Sequence, residues 1–177
     1  MFSTVALLLV AGHETTTNLI GNTFHTLLTQ PQLMPEGPPR KRDPARGIHR
    51  GVPAIPASAA VHHLRVATED FRFGDRNIGA GDLVLVSLAS ANRDAGRFTE
   101  PDVFDPHAMR AGHIAFGHGL HHCIGAPLAR LEGRIAVAWL LNEFPDMQIE
   151  PGTEIRWRES VNFLGLQSLP VKRVGKR

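Results

Sequence analysis

A single cysteine, Cys123, occurs in this 177-residue chain, so no internal disulfide can form and its chemistry is that of a thiol or thiolate. Gly117 and Gly119 precede it and Gly125 follows, which lets the main chain bend tightly and come close to a bound group. Ile124, Leu128, Leu131, Ile135, Ala138 and Leu141 then recur at steps of three or four. That period predicts a helix, with Pro127 in the first turn where its missing N–H costs little. Cys123 is thereby placed at a helix N-terminus, where the dipole and free N–H groups favour the thiolate. Such a thiolate is a metal ligand or a nucleophile. Two plain readings stand beside this one. A lone cysteine is most often a small buried hydrophobe. Alternatively His118, His121, His122 and Cys123 bind zinc, although no second Cys-x-x-Cys or His-x-x-x-His arm completes a tetrahedron.

The second chemically loaded stretch is Ala11-Gly12-His13-Glu14-Thr15-Thr16, set in a segment whose apolar residues predict one helix over residues 2–28. A glycine and three consecutive threonines lower helix propensity there. A threonine hydroxyl can bond the carbonyl one turn back and loosen the ladder. With Glu14 beside it, such a site is a polar notch in an apolar wall. The plain alternatives are a buried helix with capping-type residues in its centre, or two helices split near Gly12.

Together the two stretches resemble the cytochromes P450. Phe116, Gly117, Gly119, His121, Cys123 and Gly125 meet every fixed position of that family's Phe-Gly-x-Gly-x-His/Arg-x-Cys-x-Gly loop. The following Ala126-Pro127-Leu128-Ala129-Arg130-Leu131-Glu132 looks like its bacterial branch. Ala11, Gly12, Glu14 and Thr15 match the oxygen-binding helix, and Leu64 to Asp70 resembles the strand behind the haem. The resemblance covers residues 1–30 and 62–174. It implies the C-terminal part of the cytochrome P450 fold, mainly α with small β-sheets, as one partial domain; full members are more than twice this length. By the same resemblance Cys123 ligates the iron of haem b, Phe116 shields the sulfur, and Gly117, Gly119 and Gly125 shape the loop. Arg65 and His121 reach propionates, a pairing that suits a guanidinium fork, while Glu14 and Thr15 relay protons. The implied activity is a monooxygenase that inserts one oxygen atom into a small apolar substrate. Electrons would come from a ferredoxin or flavodoxin, since no flavin or nicotinamide fingerprint is present. The competing functional class is an inactive remnant of the family without a competent haem pocket.

Between these stretches the pattern breaks. Residues 30–60 hold Pro31, Pro35, Pro38, Pro39, Pro44, Pro53 and Pro56 together with Arg40, Lys41, Arg42, Arg46 and Arg50, which predicts loop or disorder. The family carries Glu-x-x-Arg here and this chain does not, which reads as a wrong reading frame or heavy divergence between about residues 34 and 58. Val103 likewise replaces the arginine of Pro-x-Arg-Phe, leaving Arg93 or Arg97 as the nearest substitutes. Residues 62–90 predict strands, with turns at Gly74-Asp75 and Gly79–Asp82 and a buried strand at Leu83–Val86. Phe144-Pro145-Asp146 ends the second helix, and short strands follow over 147–174. Phe163 to Leu166 is either a hairpin tip facing substrate or an ordinary turn on the core.

Composition narrows the classes. Hydrophobic residues make up 42% and charged residues 20%, as in a soluble globular domain. A net charge of +2, dispersed along the chain, does not argue for nucleic acid. The apolar opening from Phe2 to Ala11 lacks a charged n-region, so it is not read as a signal peptide. No apolar run approaches the ~20 residues needed to span a bilayer. One cysteine fits a reducing compartment, so a cytoplasmic location is expected.

Overall fold

In the computed structural model, residues 2–33, 62–103 and 112–174 are described. The first helix, α1, runs unbroken over Phe2–Thr29. Gly12 and the threonines therefore do not split it. Thr15 Oγ1 donates to Ala11 O at 2.6 Å and Thr17 Oγ1 to His13 O at 2.8 Å, one turn back in each case. These hydroxyls satisfy themselves on the helix's own carbonyls, so the helix passes through a run of poor formers without a kink.

A short antiparallel pair follows, β1 (His62–Val66) against β4 (Leu83–Ser87), with His63 opposite Val86 and Arg65 opposite Val84. Between them lies the hairpin of β2 (Phe71–Phe73) and β3 (Arg76–Ile78), which turns at Gly74 with φ +60°. Asp70 and Asp82 brace the second turn by accepting from the N–H groups of Ala80 and Gly79. The strands fall where alternation predicts them. Leu83, Leu85 and Val86 are exposed, however, so β4 is not the buried strand expected. A two-stranded ribbon with no covering layer in these residues leaves both faces open.

Ser87 caps the one-turn helix α2 (Leu88–Ala91). Buried Asn92 then accepts from the Ile114 N–H at 2.8 Å and ties this region to the Cys123 loop. Arg93 pairs with Asp102 at 3.3 Å. Arg97 lies over Gly112, where an added Cβ would fall 2.6 Å from its Nη2.

The second long helix, α3, spans Ala126–Glu143, with Gly125 as N-cap and Pro127 in the first turn. Phe144 ends it. A last pair, β5 (Met147–Ile149) with β6 (Val171–Arg173), closes the chain, and Trp157 bridges Leu166 between them.

The core lies where α1 crosses α3, with Phe24 and Leu27 packed against Val137 and Leu141. Gly133 continues that ridge: a Cβ there would meet Leu19 Cδ2 at 3.5 Å. Gly133, Val137 and Leu141 are spaced by four, one row along the helix. This row is the one that α3 buries; of the expected stripe, Leu141 lies on it and Ala138 packs beside it, while Ile124, Leu128, Leu131 and Ile135 lie off it. Those four are exposed, Ile124 at 91%. The period located the apolar residues correctly, but α3 is apolar over more than one face, and only contact with α1 decides which face is covered. The N-terminal turns of α1 are likewise exposed from Val5 to Val10.

The Pro/Arg-rich segment beyond Leu33, and Phe104, lie outside the described residues. The architecture is two long helices with small antiparallel sheets, and among the described residues no helix is long and apolar enough to cross a membrane.

Leu27 is fully buried at the centre of this contact. Leu27→Ala is expected to destabilise the chain by about 2–5 kcal/mol, read as a lowered midpoint in chemical denaturation. Leu7→Ala, on the exposed turn, is expected to change the midpoint little.

Candidate functional site

The loop before α3 is built on backbone bonds and left-handed glycines. Gly117 and Gly119 have φ of +74° and +67°, a conformation that costs an L-residue strain. At Gly117 the space is closed as well: a Cβ would lie 3.1 Å from the His121 carbonyl oxygen. The chain turns through a 3-10 stretch, Gly119–His121, and the Cys123 N–H donates to Phe116 O at 2.8 Å, closing the loop. Ala126 N–H then donates to Cys123 O at 3.2 Å, so the cysteine stands directly before the first turn of α3. Gly125 lies beside the sulfur: a Cβ there would stand 3.8 Å from Cys123 Sγ, at ordinary contact distance.

Cys123 is exposed, not the buried structural cysteine of the plain reading. It opens onto a cavity of about 470 Å³. One wall is the loop and the start of α3: Phe116, Gly117, His121, Cys123, Gly125, Leu128 and Ala129. The facing wall is α1: Leu8, Leu9, Ala11, Gly12, Thr15, Thr16 and Leu19. Of the residues singled out in the sequence, Thr15, Phe116, Gly117, His121, Cys123 and Gly125 meet here. Glu14, Arg65 and Gly119 are not among the lining residues.

Helix geometry explains Glu14. Successive residues are 100° apart, so Gly12, Thr15, Thr16 and Leu19 share a face that Glu14 cannot join. Its carboxylate points to the terminal segment, where Arg158 Nη1 donates to Oε1 at 3.2 Å. Arg65 folds back on its own strand, with Nη1 donating to Leu64 O at 2.9 Å. Its strand neighbour His63 does line the cavity, as does Glu132 on α3. Neither stood out in the sequence. Both signals were there: His63 shares strand parity with Arg65, and Glu132 follows Gly125, Leu128 and Ala129 at helical spacing. His118 and His122, two of the zinc candidates, are exposed.

Phe116 is held from behind. The Arg130 guanidinium sits 4.3 Å from its ring centroid, and the His113 ring packs at 6.3 Å. Burial, then the charges of Arg130 and His122, push the His113 imidazole below its ordinary value of 6.5. Phe163 to Leu166 packs as an ordinary turn: Asn22 Nδ2 donates to Leu164 O at 2.9 Å, and none of these four residues lines the cavity.

Among the described residues, no three His, Cys, Asp or Glu side chains converge on a common metal position, which leaves zinc without a tetrahedron. One cysteine sulfur opening onto an apolar cavity suits haem, whose macrocycle brings its own nitrogen ligands and leaves the protein to supply one more. A single cysteine facing a hydroxyl-bearing helix across an apolar gap is the outline of a haem-thiolate protein.

The family model that matches this chain is Cytochrome P450, over residues 56–172. This chain belongs to the cytochrome P450 family. Cytochrome P450 107B1 of Saccharopolyspora erythraea is 45% identical over 175 residues, which is 97% of this chain and 42% of that protein. Vitamin D(3) 25-hydroxylase of Pseudonocardia autotrophica is 42% identical, over 93% of this chain and 41% of that one. Among solved structures, CYP109E1 from Bacillus megaterium in complex with testosterone matches with a TM-score of 0.86 at 36% identity, covering 96% of this chain and 46% of its own. PksS from Bacillus subtilis matches with a TM-score of 0.86 at 38% identity, covering 99% and 45%. The chain thus spans about two fifths of the length of the curated relatives it matches. The family model begins at residue 56, after most of the Pro/Arg-rich segment.

Two outcomes follow from the loop. Gly117→Ala is expected to cost about 1–2 kcal/mol for the left-handed backbone alone, seen as a lower thermal midpoint; the His121 carbonyl must also shift. Because the folded His113 imidazole titrates below 6.5, the unfolded chain binds more protons between the two values. Its stabilising contribution is complete above 6.5 and is lost as pH falls through the lowered value. Thermal midpoints measured from pH 8 to pH 5 are expected to fall less steeply for His113→Asn than for the unaltered chain.

Proposed function

We propose that this chain carries the iron-ligand loop and the oxygen-side helix of a haem b monooxygenase. The reaction inserts one oxygen atom of dioxygen into a small apolar molecule. The observation that carries the reading is the opposition of Cys123 and the Gly12–Thr15 turn across one apolar cavity. When bound, haem supplies the redox chemistry of dioxygen reduction, and an axial thiolate pushes electron density toward O–O cleavage.

The chain's own residues do the rest. Cys123 Sγ would hold the iron, and the loop's N–H groups and glycines would keep the sulfur in place and tune its basicity. Phe116, clamped by Arg130, keeps water from the sulfur. On the far wall Thr15 holds a proton at Oγ1, which now donates to the Ala11 carbonyl and can turn into the cavity. Glu14 is half-exposed and paired with Arg158, so it exchanges its proton with solvent, and water carries that proton to Thr15. His121 and Arg65 bind the propionates. Leu8, Leu9, Leu19 and Leu128 give the cavity an apolar lining suited to an apolar substrate.

Relatives support the substrate class. CYP109E1 was solved with testosterone and with corticosterone, and P450BioI with a hexadec-9Z-enoic acid-ligated acyl carrier protein. A ferredoxin or flavodoxin would deliver the electrons, and the cytoplasm is the fitting compartment.

The test is the absorption spectrum of the protein produced with haem supplied, reduced and saturated with carbon monoxide. A strongly red-shifted Soret band is expected, and Cys123→Ser is expected to abolish it. A chain that takes up no haem, or shows only the band of neutral ligation, is not itself an oxygenase.

A further inference from the structure

Arg130 is a half-buried cation without a carboxylate. It stands on the row that α3 buries, four residues after fully buried Ala126 and three before Gly133. Bringing a guanidinium toward that contact carries a desolvation cost that a partner must offset. Among the described residues no acidic side chain pairs with it. Glu132, two positions on, is rotated about 200° around the helix and lines the cavity. The guanidinium lies instead 4.3 Å from the centroid of the Phe116 ring, whose face carries the complementary partial charge. His113 packs against the same ring at 6.3 Å, tilted by 59°. Its Nδ1 accepts from the Ala115 N–H at 3.3 Å, the Gly117 N–H donates to Ile114 O at 2.9 Å, and Phe116 O accepts from the Cys123 N–H at 2.8 Å. These bonds fix the backbone on both sides of Phe116 and leave the ring itself to side-chain contacts. Phe116 and Cys123 line the same wall of the cavity. A cation on α3 thus places the aromatic ring that shares this wall with the one thiol of the chain.

We propose that Arg130 is a positioning residue that acts on Cys123 through Phe116: by holding the ring against the loop, it sets how freely solvent and reagents reach the sulfur. This deepens the reading of Cys123 as the metal-binding sulfur of the cavity, and it applies to the chain with or without haem. An uncharged side chain of similar length fills the place of Arg130 without offering the ring a cation, so the ring gains other rotamers. Loss of the charge by itself acts in the opposite sense, because a departing cation disfavours the thiolate and slows its reactions. Access and charge are told apart by sign.

Cys123 is the only cysteine, so its alkylation by uncharged iodoacetamide, followed by intact mass, reports on that sulfur alone. Rates are measured on the full chain well above the ordinary cysteine value of about 8.5, where ionisation no longer limits them. Arg130→Met is expected to raise the rate about threefold, the shift that a partly exposed cation–π contact supports. Arg130→Lys, which keeps a cation for the ring, is expected to stay within about 1.5-fold of the unaltered chain. Phe116→Ala is expected to raise the rate at least as much as Arg130→Met does, and adding Arg130→Met to it is expected to change nothing further. Far-ultraviolet circular dichroism checks that each variant folds, and Arg130→Gln replaces Arg130→Met if the latter does not. An unchanged or lower rate in Arg130→Met, a lysine variant as fast as the methionine one, or the same rise with and without the Phe116 ring would overturn the proposal. Absence of the red-shifted Soret band bears on the haem reading alone, so the two fail separately.

Discussion

The contact between α1 and α3 sets everything else in this structure. Leu19 lies against Gly133, and Phe24 and Leu27 lie against Val137 and Leu141, so the two helices are locked along their C-terminal halves. Beyond that lock the N-terminal half of α1 and the start of α3 line opposite walls of the cavity. The separation of Thr15 from Cys123 is therefore not set by either residue alone. It depends on side-chain volumes a few turns away, where Leu19 lies beside Gly133. Because interiors are close-packed, a change of volume in that contact is transmitted to the gap.

The same division accounts for where apolar surface remains. The locked halves bury Leu27 and Leu141, and the open halves show their leucines: Leu7, Leu8 and Leu9 on α1, and Leu128 and Leu131 on α3. Exposed apolar surface that is continuous with a cavity marks a place where something else binds. Part of it faces the cavity and suits a flat apolar cofactor and its substrate. The curated relatives are more than twice as long as this chain, and the solved structures of CYP109E1 and PksS cover 96% and 99% of it.

How much of this could be read from the sequence depended on the range of the interaction concerned. The loop was legible because its requirements are local. Left-handed backbone needs Gly117 and Gly119, and the helix needs a start that tolerates Pro127. The strands and turns of residues 62–90 were legible for the same reason, through alternation and Gly-Asp turns. What failed were statements about coverage. Alternation cannot say whether a second layer exists, so Leu83–Val86 was expected to be buried and is not. Periodicity shows that α3 has apolar residues at helical spacing, but not that the row through Gly133 is the one that meets α1. His63 and Glu132 escaped notice because they belong to the site only through tertiary placement, although strand parity with Arg65 and the helical step from Gly125 both pointed to them.

The two carboxylates near the oxygen-side helix show what placement changes. In the sequence Glu14 adjoins Thr15, and adjacency suggests that they act together at one spot. On a helix, adjacency means a 100° separation, so Thr15 turns to the cavity while Glu14 turns to Arg158 on the terminal segment. A carboxylate held there by a cation at the protein surface is poorly placed to touch a reacting atom and well placed to exchange protons with solvent. Thr15 has the opposite character, a hydroxyl inside the cavity already satisfied by Ala11 O and free to swap that acceptor for another. Among the described residues Glu132 is the one carboxylate that lines the cavity, across from Gly12, His13 and Thr16. The helix thus carries its own carboxylate on the side turned to Arg158 and a hydroxyl on the side turned to the cavity. The helix that separates the two also prevents the acid's charge from entering an apolar site, where an unpaired carboxylate would be costly.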